Sequence, residues 1–304
     1  MQKNQEIKFK NFVWINLVNP NKQILDELAK KYSFHPLAIE DCLSNIQQPK
    51  IDDYENHLFM VFHLPRYIKR DSRTVSVELD VFLSNNYIVT IHNGELKPFN
   101  SLFDEYVDKK RTLSQDSSAY LLYEILNVNF SHCLKMLERI GDKLDRVEDR
   151  LYEDQSRTTL EEISVIALDI INFRRVIGPQ RFFIRDLEAV KTKVISEALE
   201  IYYDDIGDKI ERVWEMLNNY KEVSDVLQKT NESILTQRLN EVMKLLTIFS
   251  AIMLPLTVIT GFYGMNIIGL PFANHSYAPE IITGILVLVI AAMLYYFNRK
   301  KWTR

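Results

Sequence analysis

Cysteine, glycine and clustered basic residues are scarce in this 304-residue sequence, and two of these shortages exclude classes of protein. Cys42 and Cys133 are the only cysteines and lie in unrelated contexts, so neither a disulfide framework nor a cysteine metal site is indicated. The net charge is −4 and no segment is densely basic, which argues against a nucleic-acid partner. Residues 1–8 lack the apolar core of a signal peptide, so we expect most of the chain to stay where it is synthesised.

Motifs for catalysis are also absent. The sequence has no Gly-rich phosphate loop, no paired-cysteine zinc site and no serine-nucleophile elbow. His35 precedes Glu40 and Asp41, but adjacent carboxylates cannot share a helix face, so we expect capping and packing there rather than acid–base chemistry. The sequence therefore predicts neither an enzyme nor an organic cofactor.

Two long uncharged runs lie near the end of the chain, at about 245–263 and 281–297. Their lengths suit helices that cross a hydrocarbon core of roughly 30 Å. The whole chain is 47% hydrophobic and 26% charged, which leaves the remainder polar enough for a soluble region. We therefore expect two transmembrane helices, in contact with membrane lipid, after a soluble region of one or two domains.

The distribution of basic residues predicts the orientation of these spans. Residues 266–280 contain no Lys or Arg, whereas Arg299, Lys300, Lys301 and Arg304 follow the second span. By the positive-inside rule the loop is outside and the tail inside. We expect a multi-pass protein of the inner or plasma membrane with both termini in the cytoplasm.

The soluble part divides into two regions of different character. Residues 1–115 predict an α/β domain, because short aromatic and β-branched runs at 12–17, 58–64, 74–83 and 87–92 are typical of strands. Helical spacing then predicts a long amphipathic helix from about 117, and another from 208 into the first span. A helix of that length needs partner helices. We place the domains at 1–115, 116–240 for the long helices and stalk, and 241–304 for the membrane part.

Steps of three and four residues along the predicted stalk pick out a stripe without a single charge. Its members are Ser233, Thr236, Asn240, Met243, Thr247, Ser250, Leu254, Thr257 and Gly261. Small and hydroxylated residues favour close packing in membranes, so the stripe could be an ordinary helix–helix seam. Repeated around a rotation axis, the same stripe would line a narrow tube with uncharged oxygens and apolar constrictions.

Three sequence blocks carry a resemblance to a known family. Tyr263-Gly264-Met265-Asn266 closes the first span, and residues 240–261 lead into it. Residues 34–41 and 48–54 form two parts of a further block in the soluble domain. Together they resemble the CorA family of divalent-cation channels. The resemblance implies a homopentamer with a funnel-shaped cytoplasmic domain and a central pore made by the first span of each copy.

The resemblance also implies roles for single residues. Asn266 would form the outer selectivity ring within the filter Tyr263, Gly264, Met265 and Asn266. The pore would be lined, from the inner mouth outward, by Asn240, Met243, Leu246, Leu254 and Thr257, and the uncharged stripe adds Ser250 and Gly261 to this lining. On the bare stripe, Thr247 competes with Leu246 for the pore side. Intracellular Mg2+ would be sensed between copies at Asp205 and its neighbour Asp208, so Mg2+ would be both transported and regulatory.

The residues after the filter depart from the pattern of many magnesium channels. Asn266 is followed by Ile267-Ile268-Gly269-Leu270-Pro271, which looks more like branches proposed to carry other cations. Mg2+ is the favoured cargo, with Co2+ or Ni2+ as co-substrates. A Zn2+ or broad divalent transporter, with or without proton coupling, is the first alternative. A divalent-cation sensor tethered to the membrane is the second.

Overall fold

The computed structural model describes residues 5–44, 48–153, 157–189, 194–266, 270–271, 276–300 and 302. The chain forms two compact units, Met1–Gln228 and Lys229–Arg304. The first contains a mixed sheet with helices on both faces, and the second contains the two apolar helices. The division of the chain at 115/116 and 240/241 stays a prediction.

A six-stranded sheet organises the first unit. Its strands are β1 (Gln5–Lys8), β2 (Val13–Val18), β3 (Lys50–Tyr54), β4 (His57–Ile68), β5 (Arg73–Ser84) and β6 (Tyr87–His92). They lie in the order β1-β2-β6-β5-β4-β3, and every neighbouring pair is antiparallel except β2 with β6. The four strands expected from the sequence are present, and Asn85-Asn86 forms the tight turn between β5 and β6. Strands β1 and β3 had not been predicted.

Two short helices cover one face of the sheet, α1 (Lys22–Tyr32) and α2 (Pro36–Leu43). The Asn21 side chain caps α1 by accepting a hydrogen bond from the backbone N–H of Ile24 at 3.0 Å. His35 caps α2 in the same way, because its Nδ1 accepts from the backbone N–H of Leu37 at 3.2 Å. The capping role expected for His35 is confirmed.

The opposite face is covered by α3 (Lys97–Val107), α4 (Ser118–Glu153) and α5 (Arg157–Ala189). Trp14 anchors α3: it is fully buried, and its ring meets Phe103 edge-on at 4.8 Å between centroids. Phe62 of β4 contacts Phe183 of α5 at 4.5 Å. The aromatic contacts fix these helices on the sheet because each ring buries a large apolar area.

A very long helix, α6 (Glu200–Tyr263), follows a 3-10 turn at Glu197–Leu199, and α7 (Ala278–Arg299) ends the described fold. The predicted start of α6 at residue 208 is wrong, since the helix already includes Gly207. Tyr203, Ile206 and Ile210 are all at most 3% exposed, and this packing outweighs the roughly 1 kcal/mol that glycine costs inside a helix. An α/β domain, a long helix and two apolar C-terminal helices confirm the predicted fold class.

Candidate ion pathway and candidate cation-sensing site

The two helices of the second unit are long and apolar enough to cross a membrane. The core helix of a soluble protein would be mostly buried. In this chain, the most apolar stretch of α6 has no buried residues, and only 6% of the most apolar stretch of α7 is buried. Exposed apolar surface of this extent needs lipid or other copies of the chain to cover it. The predicted spans at 245–263 and 281–297 fall inside these helices.

One face of α6 is half-buried in this unit, and it repeats with the period of a helix. Its members are Ile248, Ile252, Pro255, Ile259 and Tyr263. A stripe with the same spacing on α7 is half-buried or buried, and consists of Ile282, Leu286, Val289, Met293 and Phe297. Such paired stripes are typical of two helices packed along a seam. The seam within the chain therefore does not use the uncharged stripe.

The uncharged stripe lies on the other side of α6. At about 100° per residue, its mean direction is about 150° away from that of the half-buried face. All of its members from Ser233 to Gly261 are exposed, with Leu254 at 70% and Met243 at 58%. Thr247 and Leu246 are both exposed, so a single chain leaves the choice between them open. The structure thus brings the predicted pore residues together on one free face.

The three threonine hydroxyl groups on this face are held by the helix itself. The Oγ1 atoms of Thr236, Thr247 and Thr257 donate to backbone carbonyls one turn earlier, at 2.9, 2.7 and 2.8 Å. Since the hydroxyl proton is used, the lone pairs are what each threonine presents outward. The face therefore offers hydrogen-bond acceptors, which suit a cation or the water molecules around it.

The segment predicted to form the filter begins where α6 ends. Gly264 donates its backbone N–H to the carbonyl of Thr260 at 2.8 Å, and a Cβ added at Gly264 would lie 2.9 Å from the same oxygen. This close approach explains the glycine, because real Cβ atoms essentially never come so near a backbone oxygen. Asn266 lies beyond the end of the helix, outside regular secondary structure, and is exposed. Residues 267–269 lie outside the described residues.

Gly261 and Gly284 have no such explanation within the chain. A Cβ at either position would meet nothing within 4 Å among the described residues. In membranes, small residues let helices of different chains approach closely. The two glycines therefore mark surfaces that are open in one chain and available to other copies.

The candidate sensing site lies near the start of α6, in the first unit. Asp205 forms an ion pair with Lys209 one turn later, and the carboxylate remains 47% exposed while the lysine side chain is 23% exposed. Burial, and after it the charge of Asp205, raises the pKa of Tyr123 on α4, so this ring lies near the carboxylate. Asp208 is exposed. Neither aspartate belongs to the first helical turn, where Glu200 is the acidic residue, so helix capping does not account for them.

A complete cation site is absent from the described part of a single chain, where no three His, Cys, Asp or Glu side chains are grouped to hold a metal ion. Two acidic residues are candidates for a contribution from a neighbouring copy. Both are exposed, but Glu95 is paired with Arg66 and accepts a hydrogen bond from the Asn93 side chain, whereas Asp104 on α3 has no ion pair among the described residues. Asp104 is therefore the carboxylate that a second copy could reach more easily.

Two neighbours of Asp205 had not been predicted. Lys209 could have been found from the sequence, because residues four apart on a helix are neighbours. Tyr123 could not, since it is far away in the sequence and reaches Asp205 only through the packing of α4 against α6. The packing is visible in Tyr203, whose hydroxyl donates to the carbonyl of Ala119 at 2.8 Å.

Comparison with known proteins identifies the family. The sequence profile described as "CorA-like Mg2+ transporter protein" matches residues 9–300. The chain belongs to this family. It is accordingly a CorA-family transporter of divalent cations, and the family is one of transporters rather than enzymes.

Individual CorA-family relatives agree with this assignment. The cobalt/magnesium transport protein CorA of Thermotoga maritima is 24% identical over 290 residues, covering 95% of this chain and 83% of the relative. The complete structure of the CorA magnesium transporter from Methanocaldococcus jannaschii has a TM-score of 0.87 at 24% identity, covering 98% of this chain and 94% of that one. The zinc transport protein ZntB of Yersinia pestis is 22% identical over 233 residues, covering 74% and 68%.

Proposed function

We propose that this CorA-family chain forms a homopentameric Mg2+ channel whose pore is lined by the uncharged stripe on α6. The observation that carries the proposal is the position of that stripe, which is exposed and opposite to the seam with α7. A plain membrane anchor would have no need for Asn240, Ser250 and Thr257 on one free face. In a ring of copies this face would enclose the axis.

The chemistry of the stripe suits Mg2+ that keeps its water. Mg2+ loses its hydration shell reluctantly and is commonly bound through those waters. A ring of Asn266 amides would accept hydrogen bonds from the hydrated ion without the tight hold of a carboxylate ring, and conduction requires binding weak enough for the ion to leave. Leu254, Met243 and Leu246 would form apolar constrictions able to close the pore by dewetting.

Regulation by cytoplasmic Mg2+ would use Asp205 and Asp208. One chain supplies too few acidic groups at this place, so the site would be completed by a neighbouring copy. Asp205 is on the same helix that carries the stripe, so one continuous helix would connect the ion-binding site to the pore. Bound Mg2+ would hold neighbouring copies together and favour the closed state.

The orientation follows from the flanking charges. The outer loop carries no Lys or Arg, whereas Arg299 and the following residues form a basic tail. Both termini would then lie in the cytoplasm, with the protein in the cell membrane. The boundaries 1–115, 116–240 and 241–304 are kept as the proposed division into sheet domain, stalk and pore domain.

Zn2+ or broad divalent transport, with or without proton coupling, is a second candidate. It is favoured by the Ile-Ile-Gly-Leu-Pro sequence after Asn266 and by the similarity to a protein named for zinc transport. Co2+ and Ni2+ would be co-substrates under either candidate. A tethered sensor without transport is the competing function from another class.

Flux into liposomes with a Mg2+-sensitive dye tests the proposal. With low Mg2+ on the cytoplasmic side, the wild type should conduct, and Asn266→Ala should lower Mg2+ flux at least about tenfold, as expected when charge-assisted hydrogen bonds of about 1.5–3 kcal/mol are lost. Asn274→Ala, in the same loop, is the matched control and should conduct normally. Oligomer size is checked by chromatography.

The other outcomes separate the candidates. No flux from the wild type would favour the tethered sensor. Faster Zn2+ than Mg2+ flux, or flux that follows an imposed pH gradient, would favour the second candidate. Normal Mg2+ selectivity in Asn266→Ala would remove Asn266 from the filter.

A further inference from the structure

A cavity of about 300 Å3 lies in the first unit, on the face of the sheet covered by α4 and α5 and near the turn between β4 and β5. It is lined by residues of β4, the turn after it, β5, α4 and α5, and none of them belongs to the proposed pore or sensing site. Its volume is at the lower end of the range for sites that bind small molecules. The arrangement of charge around it is unusual.

The floor of the cavity contains a buried carboxylate. Asp169 is 3% exposed and accepts a hydrogen bond from the backbone N–H of Thr74 at 2.5 Å. In the described part of the chain it has no ion pair within 4 Å, and burial raises its pKa although the charge of Lys143 acts in the opposite direction. A buried carboxyl group needs hydrogen-bonding partners. Its position in the lining makes it available to an N–H donor on a ligand.

The walls are apolar and aromatic. Met136 and Ile140 lie one turn apart on α4, both at most 5% exposed, and line one side. Tyr67 lines the cavity from β4, and its hydroxyl accepts a hydrogen bond from Lys143 Nζ at 2.9 Å. A flat, apolar ring would find aliphatic contacts from Met136 and Ile140 here.

Cations surround this apolar space. Lys69, Arg139 and Lys143 all line the cavity, and within the described residues none of the three forms an ion pair. Arg139 and Lys69 are exposed, so their charges stand at the mouth, and Lys143 is half-buried. Lys143 instead lies over the Tyr67 ring, with its Nζ 4.7 Å from the ring centroid. Arginine and lysine side chains without an ion pair at one opening, here Arg139 and Lys69, are a typical arrangement for binding phosphate.

We propose that this cavity binds a nucleotide of the size of a nucleoside monophosphate, with its base inside and its phosphate at the mouth. The amino group of the base would donate to Asp169, the ring would pack against Met136 and Ile140, and the phosphate would contact Arg139 and Lys69. A simple anion would leave the carboxylate and the apolar walls unused. The site is independent of the pore and of the proposed function.

Calorimetric titration of the full-length protein in detergent, at a fixed concentration of free Mg2+, tests the proposal. AMP should bind, and ribose 5-phosphate, which lacks the base, should bind at least about tenfold more weakly. Arg139→Gln should weaken AMP binding about tenfold, the loss of one charge-assisted hydrogen bond. Lys135→Gln removes the same charge one turn earlier on α4, outside the lining, and should change the affinity less than about twofold.

Asp169→Asn gives a second measurement. The amide retains an acceptor for the backbone of Thr74 but presents a donor to the base, so AMP should bind more weakly while ribose 5-phosphate is unaffected. If this variant does not fold, the comparison of Arg139→Gln with Lys135→Gln still decides. No binding of AMP at millimolar concentrations, equal binding of ribose 5-phosphate, or equal losses in the two charge variants would overturn the proposal.

Discussion

Replacing Lys209 by Met should make the transporter more sensitive to cytoplasmic Mg2+. The ammonium of Lys209 is paired with Asp205, and a divalent ion at the proposed sensing site would have to displace it. Two effects contribute. An exposed ion pair four residues apart is worth about 0.3–0.5 kcal/mol. An ammonium about 5 Å from a divalent ion is repelled by about 1.7 kcal/mol in bulk water, roughly halved at physiological salt. Lys209→Met removes both effects, which together oppose Mg2+ binding by about 1.2–1.4 kcal/mol. The inhibitory Mg2+ concentration should therefore fall about tenfold.

The assay is Mg2+ flux into liposomes as a function of Mg2+ on the cytoplasmic side. Lys221→Met is the matched control, because Lys221 forms the same kind of pair with Asp225 on the same helix, at 2.5 Å. It should leave the inhibition curve unchanged, and Asp205→Ala should move the curve to higher Mg2+. An identical curve for Lys209→Met and Lys221→Met would refute the reasoning and remove Asp205 from the sensing site.

Two further outcomes are expected elsewhere in the chain. Gly264→Ala should abolish flux in liposomes, because the new methyl group would lie 2.9 Å from the carbonyl oxygen of Thr260. The control Gly284→Ala should conduct, because its methyl group would meet nothing within 4 Å among the described residues. Equal flux through the two variants would contradict this account. Burial lowers the pKa of His92 to about 4, and its Nδ1 accepts a hydrogen bond from the backbone N–H of Gly94 at 2.9 Å. The contribution of neutral His92 to the free energy of unfolding is therefore complete above pH 6.5 and is lost as the pH falls toward 4. By pH 5 the free energy of unfolding should have fallen by about 2 kcal/mol. Thermal unfolding of His92→Gln should show a flatter pH profile in this range, and an unchanged profile would assign the acid sensitivity to other groups.

Much of the fold could be predicted because its signals are local. The runs of β4 and β6 are rich in aromatic and β-branched residues, β5 alternates polar with apolar residues, and α4 keeps its apolar spacing throughout. Strand β1 is short and polar, and β3 contains two adjacent aspartates, so neither has a signal of its own. They exist because β2 and β4 supply hydrogen-bonding edges. The order of the strands likewise depends on contacts between distant segments.

The candidate pathway could be predicted because it follows the regular geometry of one helix. Regular spacing along α6 predicts which residues share a face, and the exposure of Leu254 and Thr257 agrees. It cannot decide between Leu246 and Thr247, because both are exposed in one chain and only a neighbouring copy would separate them. The sensing site is harder still, since its remaining ligands would come from another copy.

The free face of α6 also has a genetic consequence. Because every stripe residue is exposed in a single chain, the proposed pathway exists only between copies, and each copy contributes one residue to every ring. In a pentamer assembled at random from equal amounts of normal and defective chains, only about 3% of assemblies would contain five normal copies. An altered filter residue would then act dominantly, silencing transport in cells that still make the normal chain.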